Sequence, residues 1–193
     1  MKITLLALSL IIACLSSCSS YQSKKHTKKL SSITDSHPEW IRTLDSEIEK
    51  LGSFNWIVIA EPSFPSYSKS GITTVTAPVN SAEALEAVFQ IIDSHSHVRP
   101  RIYITTESQF ISENETPGIT SYRADIKRVF DGRKHQALNS AALELLLTDA
   151  KKKYKVLVIK TLTTLPYDSI YLELESGYWD GVSETSLRKR MIR

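Results

Sequence analysis

The chain has 193 residues, of which 41% are hydrophobic and 23% are charged, a composition typical of a globular domain with appendages and not of a disordered or fibrous protein. The formal net charge of +3 is misleading, because nine of the 24 basic residues lie near the two ends and leave the middle of the chain acidic. An acidic domain lacks the basic footprint that nucleic-acid binding needs, so we predict no nucleic-acid partner.

The N-terminus has the features of an export signal. Lys2 supplies a positive charge, and the apolar run over residues 3–13 is too short to span a bilayer as a stable helix. The segment Leu15-Ser16-Ser17-Cys18 is similar to a bacterial lipobox, in which the cysteine is lipidated and becomes the new N-terminus. We predict a lipoprotein signal peptide over residues 1–17 and a lipid, including palmitate, on Cys18. Cys14 is the alternative lipidated residue, and an ordinary cleaved signal or an uncleaved anchor is a further alternative.

Two segments flank a predicted domain over residues 36–180. Residues 18–35 are rich in Ser, Lys and Thr and predict a lipidated, flexible tether, whose lysines either contact anionic headgroups or are solvated. Residues 181–193 form a basic C-terminal tail. This organisation predicts a lipid-anchored membrane protein on the periplasmic face of the bacterial cell envelope. The domain itself has no cysteine, so disulfides play no part in its stability.

Helical and strand patterns alternate along the domain. Ser36-His37-Pro38-Glu39 has the spacing of a capping box and opens a helix, which Gly52 can end in a left-handed cap. Residues 56–60 predict a buried strand and residues 73–77 a second one. Asn80 with Glu83 then caps another helix.

The same alternation continues to the end of the domain. We predict strands at residues 101–106, 155–161 and 169–174, a polar loop at 107–120, a short helix at 122–130, and a longer helix marked by Leu138, Ala141, Ala142 and Leu145. Strands that alternate with helices predict an α/β sheet.

The stretch from Ser53 to Pro65 carries the most chemical information. Its buried strand runs into the carboxylate of Glu61 and a Pro-Ser-Phe-Pro turn, and strand ends are where α/β folds place their chemistry. The stretch resembles, without a gap, the signature of the D-ribose pyranase and L-fucose mutarotase (RbsD/FucU-like) family, His-x-Asp-x-(apolar, x, apolar, x)-Asp-Ala-x-Phe-Pro. At its chemical positions the residues differ: the family histidine falls on Ser53, and the aspartates fall on Asn55 and Glu61.

A second block, near the C-terminus, is similar to the closing pattern of that family. There a helix with an aromatic end leads to a strand, a loop and a Tyr-Gly-Asn turn before the last strand. Tyr167 matches the tyrosine, whereas Asp168 and Ser169 replace the glycine and the asparagine. Residues 105–137 align poorly, and we transfer no family residue to them. The resemblance implies an α/β fold with a central, mostly parallel sheet and helices on both faces.

The resemblance also implies a monosaccharide ligand and a possible homo-oligomer. Family members interconvert the ring forms of free sugars, which requires proton transfer by groups such as a histidine and a carboxylate. Because Ser53 replaces the histidine, we expect a catalytically degenerate module that contacts sugar through Ser53, Tyr167 and Ser169. The alternative is an active mutarotase for ribose- or fucose-like sugars in which Glu61 is the catalytic base.

Each of these residues also has a purely structural alternative, as a solvent-facing carboxylate, a turn serine or a packed turn tyrosine. His135 is a further candidate for the missing base, but it lies in the poorly aligned region and we do not assign it. We predict no cofactor and no metal, because the sequence has neither a glycine-rich phosphate loop nor a Cys/His metal spacing.

Overall fold

The computed structural model describes residues 37–68 and 70–192. The helices in this part of the chain are α1 (Glu39–Ile48), α2 (Ser81–Ser94), α3 (Ile119–Phe130), α4 (Ser140–Lys153) and α5 (Gly181–Met191). The strands are β1 (Trp56–Ala60), β2 (Ile72–Thr76), β3 (Val98–Thr105), β4 (His135–Leu138), β5 (Val156–Lys160) and β6 (Ile170–Ser176). A single turn of 3-10 helix, Glu107–Gln109, follows β3.

The strands form one sheet in the order β2-β5-β1-β6-β3-β4. Of the described strands, only β6 is reversed; it pairs antiparallel with both β1 and β3, and the other neighbours are parallel. The predicted α/β fold with a mostly parallel sheet is therefore confirmed. Because β6 is reversed, its amino end lies beside the carboxyl ends of the other strands.

The two ends of the strands define two edges of the sheet. The carboxyl edge consists of the residues that follow Ala60, Thr105 and Lys160 and those that precede Ile170. The amino edge consists of the residues that precede Trp56 and those around the far end of β6. The five residues of β1 separate the two edges by roughly 15 Å.

The core lies on both faces of the sheet, because successive side chains of a strand point to opposite faces. Ile57 and Ile59 pack with residues of α1, α2 and α3, while Val58 and Ala60 pack with residues of α4. All five residues of β1 are buried, as a continuous apolar run predicts for a strand covered on both faces. Helices on both faces are thus confirmed.

The first helix begins and ends differently from the prediction. Pro38 is the N-cap, and no side chain caps the helix. The helix ends at Ile48, followed by Glu49 in a right-handed conformation, and Gly52 does not have a positive φ. The predicted glycine cap is therefore wrong. Gly52 belongs instead to the turn before β1, where its carbonyl accepts hydrogen bonds from the backbone and the side chain of Asn55.

The second helix has the cap that its sequence predicts. The Asn80 side chain accepts a hydrogen bond from the Glu83 backbone N–H at 2.9 Å, and its amide donates to the Glu83 carboxylate at 2.9 Å. Such a cap satisfies a backbone donor that the helix itself leaves free. It fixes the start of α2, and thereby Ser81, at the carboxyl edge.

The strand β4 is missing from the predicted elements. Its four residues are mostly exposed, and Leu138 ends this strand instead of marking the next helix. In α4 the buried side chains are Leu143, Leu147 and Ala150, whereas Leu145 is 73% exposed, so the predicted apolar face of this helix is wrong. A short, exposed edge strand buries too little apolar surface to leave a clear alternating pattern.

The predicted signal peptide, the tether and the lipidated Cys18 lie outside the described residues. Over residues 37–68 and 70–192, none of the helices is both long enough and apolar enough to cross a bilayer.

Candidate functional site

Polar side chains from four separate segments meet at the carboxyl edge. Ser81, at the start of α2, places its hydroxyl 3.0 Å from the Thr161 hydroxyl and donates to Asp168 Oδ2 at 3.1 Å. Ser169, before β6, donates to Glu61 Oε2 at 3.1 Å. We call Glu61, Ser81, Thr161, Asp168 and Ser169 the edge network. The sheet topology thus joins residues that lie as much as 108 positions apart in the chain.

The carboxylate of Glu61 is half-buried and held in place from several sides. Ser63 donates to Oε1 at 3.2 Å and Ser169 to Oε2 at 3.1 Å, so both carboxylate oxygens have a partner. Lys160 donates to the carbonyl of Pro62 at 3.2 Å and braces the turn that follows Glu61. This carboxylate is a fixed acceptor at the carboxyl edge, and the structure brings it together with Ser169.

Asp168 is fully buried beside this carboxylate. Its Oδ2 accepts from Ser81, whereas Oδ1 has no hydrogen-bond partner among the described residues. Burial, followed by the negative charge of Glu61, raises the pKa of Asp168 to about 8, and the hydrogen bond from Ser81 opposes this rise. A buried carboxylate with an unpaired oxygen is costly in its charged form, and a proton removes that cost. Asp168 therefore mostly carries a proton at neutral pH.

The turn before β6 has an uncommon backbone conformation. Tyr167 has a φ of 58°, in the left-handed region, which costs a non-glycine residue roughly 1–2 kcal/mol. The Thr105 hydroxyl donates to the Tyr167 carbonyl at 2.6 Å, and the Tyr122 hydroxyl donates to the Asp168 carbonyl at 2.6 Å. These bonds hold the turn, and such conformations cluster where proteins bind ligands. The Tyr167 side chain is 48% exposed.

A cavity of about 310 Å³ opens next to this turn. This volume lies within the range of small-molecule sites, roughly 300–1,000 Å³. Tyr167 and Ser169 line the cavity at the carboxyl edge, and α3 forms one wall. The other lining residues are Ile104, Ser108, Gln109, Tyr122, Arg123, Ile126, Lys127, Phe130 and His135. Glu61 is connected to the cavity through the hydroxyl of Ser169.

Ser53 lies elsewhere in the molecule. It precedes β1 at the amino edge, where it lines a separate hollow of about 400 Å³ with Arg101, Glu173 and Trp179. Because Glu61 follows the same strand, the length of β1 keeps the two residues on opposite edges. Within one chain, the structure brings together Glu61, Tyr167 and Ser169 but not Ser53.

His135 lines the cavity at the end opposite to Ser169. It pairs with Ile102, whereas Ser169 lies at the level of Thr105, three residues further along β3. His135 is therefore roughly 10 Å from Ser169 along the strand direction. Its ring stacks on Phe130 with the ring centres 4.6 Å apart. Its Nδ1 lies 3.3 Å from the carbonyl oxygen of Arg133.

Two groups of residues at this site are not predicted from the sequence. Asp168 is predicted only as the replacement of a glycine, because nothing in the sequence indicates that β6 is reversed and brings its amino end to Glu61. The helix α3 is predicted, but no site residue is assigned to it, because it lies in the poorly aligned region; it supplies one wall of the cavity. The pair Arg123 and Lys127, four residues apart, is the only local signal for that wall, and such pairs usually mark a solvated helix face.

Among residues 37–68 and 70–192, no group of three or more His, Cys, Asp or Glu side chains is placed to hold a metal ion. The candidate site is thus a cavity lined in part by hydrogen-bonding side chains, next to a turn that contains the buried carboxyl of Asp168.

Comparisons with known proteins find similar folds only at low sequence identity. No protein-family model matches the chain, and no curated protein sequence matches it. Similar solved structures include Bacillus subtilis RbsD complexed with D-ribose, with 15% identity, coverage of 69% of this chain and 91% of that one, and a TM-score of 0.47. FucU from Bifidobacterium longum is 18% identical over 72% of this chain and 98% of that one, with a TM-score of 0.49.

A third similar structure is the Streptococcus pneumoniae fucose mutarotase in complex with L-fucose. It is 22% identical over 73% of this chain and 97% of that one, with a TM-score of 0.48. At these identities and TM-scores the likeness concerns the fold alone.

Proposed function

We propose that this domain binds a monosaccharide in the cavity beside the carboxyl edge, as the catalytically degenerate module of an envelope lipoprotein. The observation that carries the proposal is the position of three residues that the sequence motifs single out. Tyr167 and Ser169 line the cavity, and Ser169 donates to Glu61. These residues come from two motifs more than 100 positions apart, and the fold connects Glu61 to the cavity through the hydroxyl of Ser169.

The lining suits a small ligand with many hydroxyl groups. Tyr167 presents a half-exposed phenol, and Ser169, Ser108 and Gln109 add polar atoms. The apolar side chains of Ile104 and Ile126 form a surface against which the C–H groups of a sugar ring can pack. Small-molecule sites combine such an apolar lining with a few placed polar groups.

Among the described residues that line the cavity, no acid and base lie together at one point, which supports catalytic degeneracy. Opening a sugar ring requires one group to remove a proton and another to deliver one. Asp168 holds a proton, but its side chain is fully buried and does not reach the cavity surface. His135 is an imidazole at the far end of the cavity, roughly 10 Å along the strand direction from the level of Ser169.

An active mutarotase is the second candidate, and His135 is the observation that favours it. The cavity does contain an imidazole, at the end opposite to Ser169, whose hydroxyl donates to Glu61. A ligand that spans the cavity would contact both His135 and Ser169. In this reading Glu61 is the catalytic base and His135 takes the place of the missing histidine.

Saturation-transfer and exchange NMR with free ribose, fucose and galactose test binding and ring interconversion in one experiment. We expect transfer to at least one sugar and no acceleration of its interconversion over buffer at neutral pH, with the same rate in Glu61→Gln. Loss of a positioned general base typically slows a reaction by about 10²–10⁴-fold. A wild-type acceleration that Glu61→Gln abolishes would establish the enzyme, and a lack of transfer to any sugar would refute the binding proposal.

The lipid anchor is tested separately. The support for it is the lipobox-like segment Leu15-Ser16-Ser17-Cys18 after a short apolar run. In a bacterial host, the wild type should incorporate labelled palmitate and partition into detergent, and Cys18→Ala should lose both properties. The matched variant Cys14→Ala should keep them. Label that persists in Cys18→Ala and disappears in Cys14→Ala would move the anchor to Cys14.

A further inference from the structure

The wall of the cavity formed by α3 carries positive charge. Arg123 and Lys127 both line the cavity, and they lie on the same face of the helix because they are four residues apart. Among the described residues, no Asp or Glu side chain lines this cavity. This local charge stands out in a domain whose middle is acidic overall.

The cationic side chains near Arg123 and Lys127 differ in whether they form ion pairs. Arg128 forms an ion pair with Asp125 at 3.2 Å, and Arg133 forms one with Asp93 at 2.5 Å. Lys127, by contrast, makes no hydrogen bond or ion pair within the part of the chain that the structure describes. Its charge is therefore available to a ligand in the cavity.

Arg123 is held in place and still has donors to spare. It donates to the backbone carbonyls of Gln109 at 2.8 Å and Ile111 at 2.7 Å, which fix the guanidinium at the cavity wall. A guanidinium has five N–H groups, so these two bonds leave further donors. The nearby Glu113 accepts hydrogen bonds from the backbone N–H groups of Gly118 and Thr120, at 2.6 and 3.0 Å, and forms no direct ion pair with Arg123 among the described contacts. The hydrogen bond from Gly118 is the main cause of the lowered pKa of Glu113, and the positive charge of Arg123 is the smallest cause.

The two ends of the cavity differ in the groups they accept. At the carboxyl edge, the side chains of Ser169 and Tyr167 line the cavity and suit hydroxyl groups. Along α3, the two cations suit an anion, since charge-assisted hydrogen bonds to a carboxylate or a phosphate are roughly twice as strong as neutral ones. We propose that the ligand is an acidic monosaccharide, with its hydroxyls at Ser169 and Tyr167 and its carboxylate or phosphate group between Arg123 and Lys127. This inference rests on the proposed function, because it assigns a class of sugar to the same cavity.

Calorimetric titration at low salt tests this assignment with three ligands that share one sugar ring: galactose, galacturonate and galactose 6-phosphate. Inorganic phosphate is titrated as a fourth ligand without a sugar. The proteins are the wild type, Lys127→Met and, as a matched control on the same helix, Arg128→Met. Methionine keeps an apolar stem and removes the charge in both variants. We expect the wild type to bind one of the acidic sugars about tenfold more tightly than galactose. Lys127→Met should remove most of this difference, and Arg128→Met should leave it unchanged.

Each outcome separates the inference from the proposed function. Galactose that binds as tightly as both acidic sugars would overturn the inference and leave the proposed function standing. A preference for acidic sugars that Lys127→Met leaves intact would also overturn it. Binding of inorganic phosphate without any sugar would refute the proposed function and keep only an anion site. Whichever acidic sugar binds more tightly identifies the anionic group as a carboxylate or a phosphate.

Discussion

The two edges of the sheet use polar residues in opposite ways. At the carboxyl edge, Ser81, Thr161 and Asp168 are buried and hydrogen-bonded to each other, and the buried carboxyl is neutral at neutral pH. At the amino edge, Arg101 pairs across the strands with Glu173 and Glu175, in contact with water. Buried polar groups are costly when a partner is missing, whereas exposed ion pairs contribute little.

The polar groups of the two edges therefore differ in their free-energy cost to the folded protein. An exposed ion pair can be exchanged for other surface residues at small cost. The buried Asp168 and the left-handed backbone conformation of Tyr167 before it both cost free energy, which other interactions of the fold have to offset. The carboxyl edge is therefore the part of the sheet where we expect the functional site.

The largest expected effect is a dependence of stability on pH that comes from Asp168. Its pKa is about 8 in the folded protein and about 3.9 in an unfolded chain, so between these values the folded state holds a proton that the unfolded state releases. This contribution is fully present below pH 4 and is lost as the pH rises through 8. We expect the free energy of unfolding to fall by roughly 2–5 kcal/mol from pH 4 to pH 8 because of this one group.

Urea unfolding across this pH range checks the prediction with two amide variants. Asp168→Asn should lose the slope and should be more stable than the wild type at pH 8. Glu175→Gln, at the amino edge, should keep the wild-type slope. Equal slopes of the free energy of unfolding against pH in the wild type and Asp168→Asn would show that Asp168 is ionised in the folded protein. The two edges would then not differ in the way described above.

A smaller effect is expected when Ser81 is replaced by alanine. The change removes the buried donor to Asp168 and one partner of the Thr161 hydroxyl, which keeps the Ala60 carbonyl as an acceptor, at a cost of about 1–3 kcal/mol. It should also raise the pKa of Asp168 further, because the hydrogen bond from Ser81 favours the charged form. Ser63→Ala is the control, since its hydroxyl also donates to a carboxylate but is exposed. Similar unfolding free energies for the two variants would argue against a tightly coupled edge network.

The smallest effect is expected at the amino edge. Arg101→Met removes the ion pairs with Glu173 and Glu175, in which the arginine side chain is 46% exposed. We expect a loss of at most about 1 kcal/mol, which 0.5 M salt should reduce further. A loss above about 2 kcal/mol that salt does not change would mean that the amino edge, too, depends on its polar contacts.

The sequence predicts what local patterns control. The strand β1 is predicted with its observed bounds because its five apolar residues form one continuous run, and the cap of α2 is predicted because Asn80 and Glu83 act within one turn. The sequence does not reveal the direction of β6, on which the contact between Asp168 and Glu61 depends. Ser53 and Glu61 lie at opposite ends of the predicted strand β1, so their separation in space follows from that prediction. The family signature, as a linear pattern, does not show this distance.

Mapping of amide chemical shifts shows directly whether the ligand binds at the carboxyl edge. Galactose and galacturonate are added in turn to the labelled domain, and the backbone amides of both edges are followed. We expect shifts at residues 167–169 and along the face of α3 that carries Arg123 and Lys127, with no change at residues 53–55 or 173–176. Shifts confined to residues 53–55 and 173–176 would contradict this expectation and would place the ligand at the amino edge, beside Ser53.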